Sequence, residues 1–234
     1  MHGSGESGGT GSPAGDEPVA AERPGEIDAR AADRVIFFSD AVVAIAITLL
    51  AIDLPVPRGS SMSAFLSSVH ANSFHYLAFL VSFWAIAAKW TGHHDAFRYT
   101  RRIDSRLRLL NTFWLLTIVI IPFATRLLTE PGHQSLEVNA LEYGFYALVQ
   151  SVGSAIMIIM LRHMVSHRQA PDMPRPALTG LAWQAYAMTL GFGLSIPVFF
   201  ATSYAWVIWI AVPLLVRIFH RRLRARRRRR VPAA

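Results

Sequence analysis

Residues Ala41 to Ile52, AVVAIAITLLAI, form an unbroken apolar run in which Thr48 is the one polar side chain. That run constrains the fold more than any other feature. It sits inside a longer stretch, Arg34 to Pro55, which as a helix is long enough to cross a hydrocarbon core of ~30 Å. Asp33 supplies an N-cap carboxylate at one end, and Pro55-Val56-Pro57 followed by Arg58 and Gly59 stops the helix at the other. Arg34, Ser39 and Asp40 cluster at its start and Asp53 closes it. Polar and ionisable side chains on a membrane-spanning segment are candidates for function.

Five further apolar spans follow, at 73–91, 107–128, 140–161, 178–200 and 204–219. Composition agrees with this segmentation. Of 234 residues, 53% are hydrophobic and 16% charged, too apolar for a soluble domain with a wetted surface. The expected fold is therefore an all-α integral membrane protein with six transmembrane helices. Residues 1–32 are Gly-, Ser-, Pro- and acid-rich and read as a disordered polar tail, residues 33–220 as the transmembrane domain, and residues 221–234 as an Arg-rich tail. No basic segment followed by an apolar core marks a secretory signal, so the first span is expected to stay in the mature protein. Gly144, Gly153, Ser154, Gly191 and Gly193 are small residues that allow close helix approach. The chain has no cysteine, which excludes disulfides, thiolate catalysis and thiolate zinc sites.

The basic residues set the orientation. Arg98, Arg101, Arg102, Arg106 and Arg108 separate spans two and three; Arg162, Arg168 and Arg175 separate four and five; nine arginines lie from Arg217 to Arg230. The alternate loops hold little beyond Arg58 and Arg126. The positive-inside rule then places both termini in the cytoplasm, with the protein in the cell (inner or plasma) membrane. The Arg-rich tail suits anionic lipid, at about 1 kcal/mol per basic residue near the surface. Without a folded reader domain it does not suggest nucleic acid. Lys89 is the one lysine among 23 basic residues.

On a helical projection Ile45, Leu49 and Ile52 share one face, with Thr48 beside them, while Asp40 falls roughly opposite. Such a face is either an ordinary aliphatic stripe or a pore lining, in which hydrophobic rings can gate or filter ions. Asp40, level with Lys89, His93, His94 and Asn111, is expected to act as a structural lock with one of those donors. Asp53 is either a solvated helix end or an outer-mouth carboxylate that concentrates cations. The histidines are too scattered for a metal centre. Ser154 has no histidine partner at matching depth for protease chemistry.

Arg34, Phe38, Ser39 and Asp40 spell R-x-x-x-F-S-D, followed by Ala44-Ile45 and Thr48-Leu49-Leu50. Trp90, His93 and His94 then form W-x-x-H-H, and Asn111, Pro122-Phe123 and Thr125 punctuate the third span. Together these resemble the transmembrane protein 175 family of potassium channels in its prokaryotic branch. The resemblance implies a homotetramer around a central pore lined by the first helix. Ile45, Leu49 and Ile52 would be the constriction in place of a TVGYG filter, and Thr48 would supply a hydroxyl ring. It also implies passive conduction of potassium, with caesium and weakly sodium as further permeant ions, and no enzyme activity or cofactor. The rival reading is a proton-coupled secondary transporter using Asp40 and the His93/His94 cluster. It expects inverted repeats with broken helices, and no internal repeat is visible.

Overall fold

The computed structural model describes residues 24–130 and 135–202, together with 207–209, 211–212, 215–216 and 218. Among the described residues every regular element is a helix: α1 (Pro24–Ile52), α2 (Met62–Ala71), α3 (Ser73–Phe97), α4 (Ser105–Thr129), α5 (Leu136–Ser166) and α6 (Arg175–Phe199). The described positions from 207 to 218 are also helical. Residues 1–23 and the Arg-rich tail at 221–234 lie outside the described residues.

Among the described residues three helices are long and apolar enough to cross a membrane: α1 from Arg30, α4, and α5 from Glu137. A fourth crossing arises if α2 and α3, bent by 53° at Asn72, count as one broken span. Length and hydropathy thus identify three or four crossings where the sequence reading expects six. Half of the last expected span, 204–219, falls outside the described residues.

The boundaries also differ from those expected. Helix α1 begins at Pro24, nine residues before Asp33, so Asp33 lies inside the helix and caps nothing. Proline suits a first helical turn, where its missing N–H has no partner to lose. Helix α3 continues past residue 91 to Phe97, and α5 past residue 161 to Ser166. Both extensions bury side chains: His93, Ala96 and Phe97 on α3, His163 and Met164 on α5. Tertiary packing carries these helices beyond the apolar stretch that marks them in sequence. Helix α2 is too short to span and buries none of its residues. It is started by Ser61, whose hydroxyl accepts the Ala64 N–H at 3.2 Å.

Helix α5 forms the spine, packing most extensively against α6 and α4, while α1 packs on α4 and α3. The core holds Trp114, Tyr146, Phe97, Phe199 and Ile86, all essentially inaccessible. One close approach depends on glycine. A Cβ at Gly153 would stand 2.5 Å from Thr117 Oγ1 and 2.8 Å from Lys89 Nζ, so only a bare backbone lets α5 meet α4 and α3 there. At Gly144 a Cβ would meet nothing nearer than Ile196 at 3.9 Å, so that glycine permits no tight contact. Helix α4 is anchored by Asp104, whose Oδ1 accepts the Leu107 N–H at 2.7 Å and whose Oδ2 accepts from His163 Nε2 at 2.8 Å.

Candidate functional site

Helix α1 has two faces of opposite character. Ala32, Ser39, Val43, Ala46 and Leu50 recur at spacings of seven, four, three and four and are buried against α3 and α4. On the other side Ile45, Thr48, Leu49 and Ile52 are exposed, Ile45 to 59%, Leu49 to 40% and Ile52 to 75%. Only 22% of the apolar window of α1 is buried in the subunit, against 50% for α4 and α5. Spacings of i, i+3, i+4 and i+7 keep the four residues on one stripe. Thr48 Oγ1 donates to the Ile45 carbonyl at 2.8 Å, which commits its proton to the backbone. The remaining lone pairs of this exposed hydroxyl stay available as acceptors.

The buried face is held by a directional chain of hydrogen bonds across three helices. Ser39 Oγ donates to the Val35 carbonyl at 2.7 Å, and Asn111 Nδ2 donates to Ser39 Oγ at 2.9 Å. Because the Asn111 amide is thereby oriented, its Oδ1 must accept from His93 Nε2 at 2.7 Å, which fixes the proton on Nε2. His93 is 0% exposed and stacks between Phe97 and Trp114, at centroid distances of 4.1 and 4.2 Å. The ring has no solvent-facing edge, so His93 is a clamp and lines no open route.

Asp40 lies one residue beyond Ser39. Its Oδ1 accepts the Trp90 indole N–H at 2.8 Å, and its Oδ2 stands 3.8 Å from His94 Nδ1. Lys89 makes no part of this group. It points to α5, donating from Nζ to the Gln150 carbonyl at 2.9 Å. Arg34 and Phe38 are exposed. Asp53 is engaged by Arg126 of α4 at 3.6 Å, both side chains remaining well exposed, so its charge is opposed by a nearby cation. Sequence reasoning missed Arg126 in this role because the partner lies on a different helix 73 positions away. Gln150, Thr117 and Gly153 were missed as the surroundings of Lys89. The signal for them was the isolated lysine itself, which in an apolar span requires polar company. Among the described residues no group of three or more His, Asp or Glu is placed to hold a metal ion.

An all-helical membrane-spanning subunit, whose first helix is locked on one side and bare and apolar on the other, belongs to the class of multi-helix integral membrane proteins. Within that class the comparisons are specific. The family profile described as "Endosomal/lysosomal potassium channel TMEM175" matches residues 34–122, from the α1 motif through most of α4. A potassium channel of Streptomyces collinus is 29% identical over 172 residues, covering 73% of this chain and 83% of the relative. A potassium channel of Chamaesiphon minutus is 38% identical over 99 residues, covering 42% of this chain and 49% of the relative. The crystal structure of a lysosomal potassium-selective channel TMEM175 homolog from Chamaesiphon minutus superposes with a TM-score of 0.65 at 25% identity, over 82% of this chain and 98% of that one. Over residues 34–122 the chain is thus similar to the TMEM175 family, and bacterial potassium channels are among its relatives.

Proposed function

We propose that this protein is a potassium channel that conducts passively through a central pore, built from four copies of the chain with α1 innermost. The observation that carries the reading is the two-faced α1. A helix clamped to its own subunit by Ser39, Asn111 and His93, yet presenting Ile45, Thr48, Leu49 and Ile52 bare on the far side, is poised to meet further copies of itself. The potassium channels to which the chain is similar support the choice of ion.

In this reading Ile45, Leu49 and Ile52 form successive aliphatic rings, and Thr48 contributes a ring of acceptor oxygens between them. A hydrophobic constriction imposes a barrier by dewetting, and the more weakly hydrated potassium loses less hydration there than sodium. Caesium passes for the same reason, and sodium passes weakly. Ser39, Asp40, Trp90, His93, His94 and Asn111 hold α1 in place and do not select ions, while exposed Arg34 and Phe38 stand outside that clamp. The Arg126 contact with Asp53 weakens the argument for an outer cation collector, and we assign Asp53 a structural role at the helix end. The subunit crosses the membrane six times with both termini cytoplasmic, and its Arg-rich tail meets anionic lipid.

Ion flux in proteoliposomes tests this. The wild type is expected to pass potassium and caesium in preference to sodium, and Ile45→Asn to lose most of that preference, because an amide ring keeps the constriction wet for both ions. Equal selectivity in the two proteins removes Ile45 from the barrier. No potassium flux in the wild type removes the reading itself.

A further inference from the structure

Lys89 stands apart from the clamp on α1. Trp90 and His94 turn to Asp40 and His93 turns to Asn111, whereas the Lys89 side chain runs into the crossing of α3, α4 and α5. It is 5% exposed, and among the described residues it pairs with no carboxylate. Its one hydrogen-bond acceptor, the Gln150 carbonyl oxygen, also accepts from Ser154 Oγ at 2.9 Å. An ammonium taken out of water with a neutral oxygen as its only partner is costly, and buried charges are ordinarily compensated.

A small cavity of about 30 Å³ lies against this side chain, with Lys89, Trp114, Ser154 and Gln184 supplying its polar groups. The rest of the described lining is apolar and includes Gly92, and no carboxylate contributes to it. Trp114 is 0% exposed, and its indole N–H has no partner. The residues around it therefore include buried Lys89 and Trp114, whose indole N–H has no partner, although the surface that meets the cavity is largely apolar. Lys89 is the one basic residue among those lining it, no acidic residue offsets it there, and the space suits one particle of about the size of water or slightly larger.

We propose that this cavity binds one small monovalent anion, a halide, as the counter-charge of Lys89. A water molecule accepts from both donors but leaves the charge uncompensated; a halide does both. Exposed Gln184 on α6 marks the side on which the cavity approaches the surface. The site lies on the side of α3 turned away from the α1 stripe, so it stands whether or not the pore reading holds.

The full-length protein in detergent is melted in potassium chloride, potassium bromide and potassium gluconate at equal potassium concentration and ionic strength. Gluconate is too large for the cavity. The wild type is expected to melt higher in the two halides than in gluconate, by on the order of 2–4 °C, and Lys89→Met to melt alike in all three. No halide effect in the wild type overturns the proposal, as does an equal effect in Lys89→Met, which makes it a general salt effect. Crystals of the wild type grown in bromide give a second test that needs no variant. An anomalous peak at hydrogen-bond distance from Lys89 Nζ is expected, and its absence overturns the assignment.

Discussion

At the scale of single residues, Asn111 is the hinge of the site because, from α4, its side chain hydrogen-bonds to both α1 and α3. Its amide donates to Ser39 and accepts from His93, and all three side chains are buried. Asn111→Ala strands the His93 Nε2–H and removes the donor to Ser39, and each orphaned buried group costs about 1–3 kcal/mol. A loss of about 2–4 kcal/mol is expected, read as a lower melting temperature in detergent. His93→Phe preserves the stack between Phe97 and Trp114 and orphans only the Asn111 oxygen, so it should cost less. If the order of the two variants reverses, the stack and not the polar chain holds α1. Here the sequence was only partly legible. The motif marked Ser39, Asp40, His93 and Asn111 as a group, but periodicity could not say which donor meets which acceptor. Lys89 shows why: a flexible four-carbon stem reaches either side of its helix, and only the missing Cβ at Gly153 makes room for it on α5.

At the scale of elements, the two faces of α1 were readable because both follow the helical period, the small and buried Ala32, Ala46 and Val43 on one side and the aliphatic stripe on the other. The ends of α3 and α5 were not, because their last turns are sustained by buried His93 and His163, which read as interfacial in a hydropathy profile. Helix α2 left no signal at all, being short and without a buried face. The asymmetry of α1 yields a paired expectation. Ala46→Leu overpacks the buried face against α3 and α4 and should cost about 1–3 kcal/mol, whereas Ala44→Leu, on the exposed face, should leave the melting temperature within a degree or two of wild type. Equal effects would mean that α1 is not packed as described. The start of α4 gives a pH dependence. Burial raises the Asp104 carboxyl, but hydrogen bonds from the Leu107 N–H, His163 and Gln169 outweigh it and hold the group at about 2, below its ordinary 3.8. Because the folded value is depressed, the stabilisation is complete above pH 3.8 and is lost as pH falls towards 2. Asp104→Asn keeps a capping oxygen for Leu107 and loses the charge together with the acceptor that faces His163. It should melt below the wild type at pH 7, with the gap closing between pH 4 and 2; a gap constant over that range would remove the carboxylate charge from the account.

At the scale of the whole molecule, the chain leaves one helix face uncovered. Of the three candidate spans among the described residues the most apolar is the one covered least, with the burial of α1 less than half that of α4 or α5. Lipid alone can cover such a face, but lipid does not explain why the opposite face is fixed by a three-helix polar chain, which orients α1 about its own axis to within the width of one stripe. Orientation matters where the stripe must meet another surface in register, and identical subunits most often achieve this by closed symmetry. Native mass spectrometry in detergent should then find four 26.0 kDa chains together, roughly 104 kDa before bound lipid. A monomer as the only species under conditions that retain flux would end the central-pore account. The same reasoning separates assembly from conduction. In the proposed four-copy pore Leu49→Arg would set four charges at one level of the stripe, so it is expected to abolish potassium flux, while the melting behaviour set by the clamp on the other face of α1 stays close to wild type. Persistent flux in Leu49→Arg would place the conducting path elsewhere, and a collapse of the fold would show that the stripe packs inside the subunit and does not face its copies.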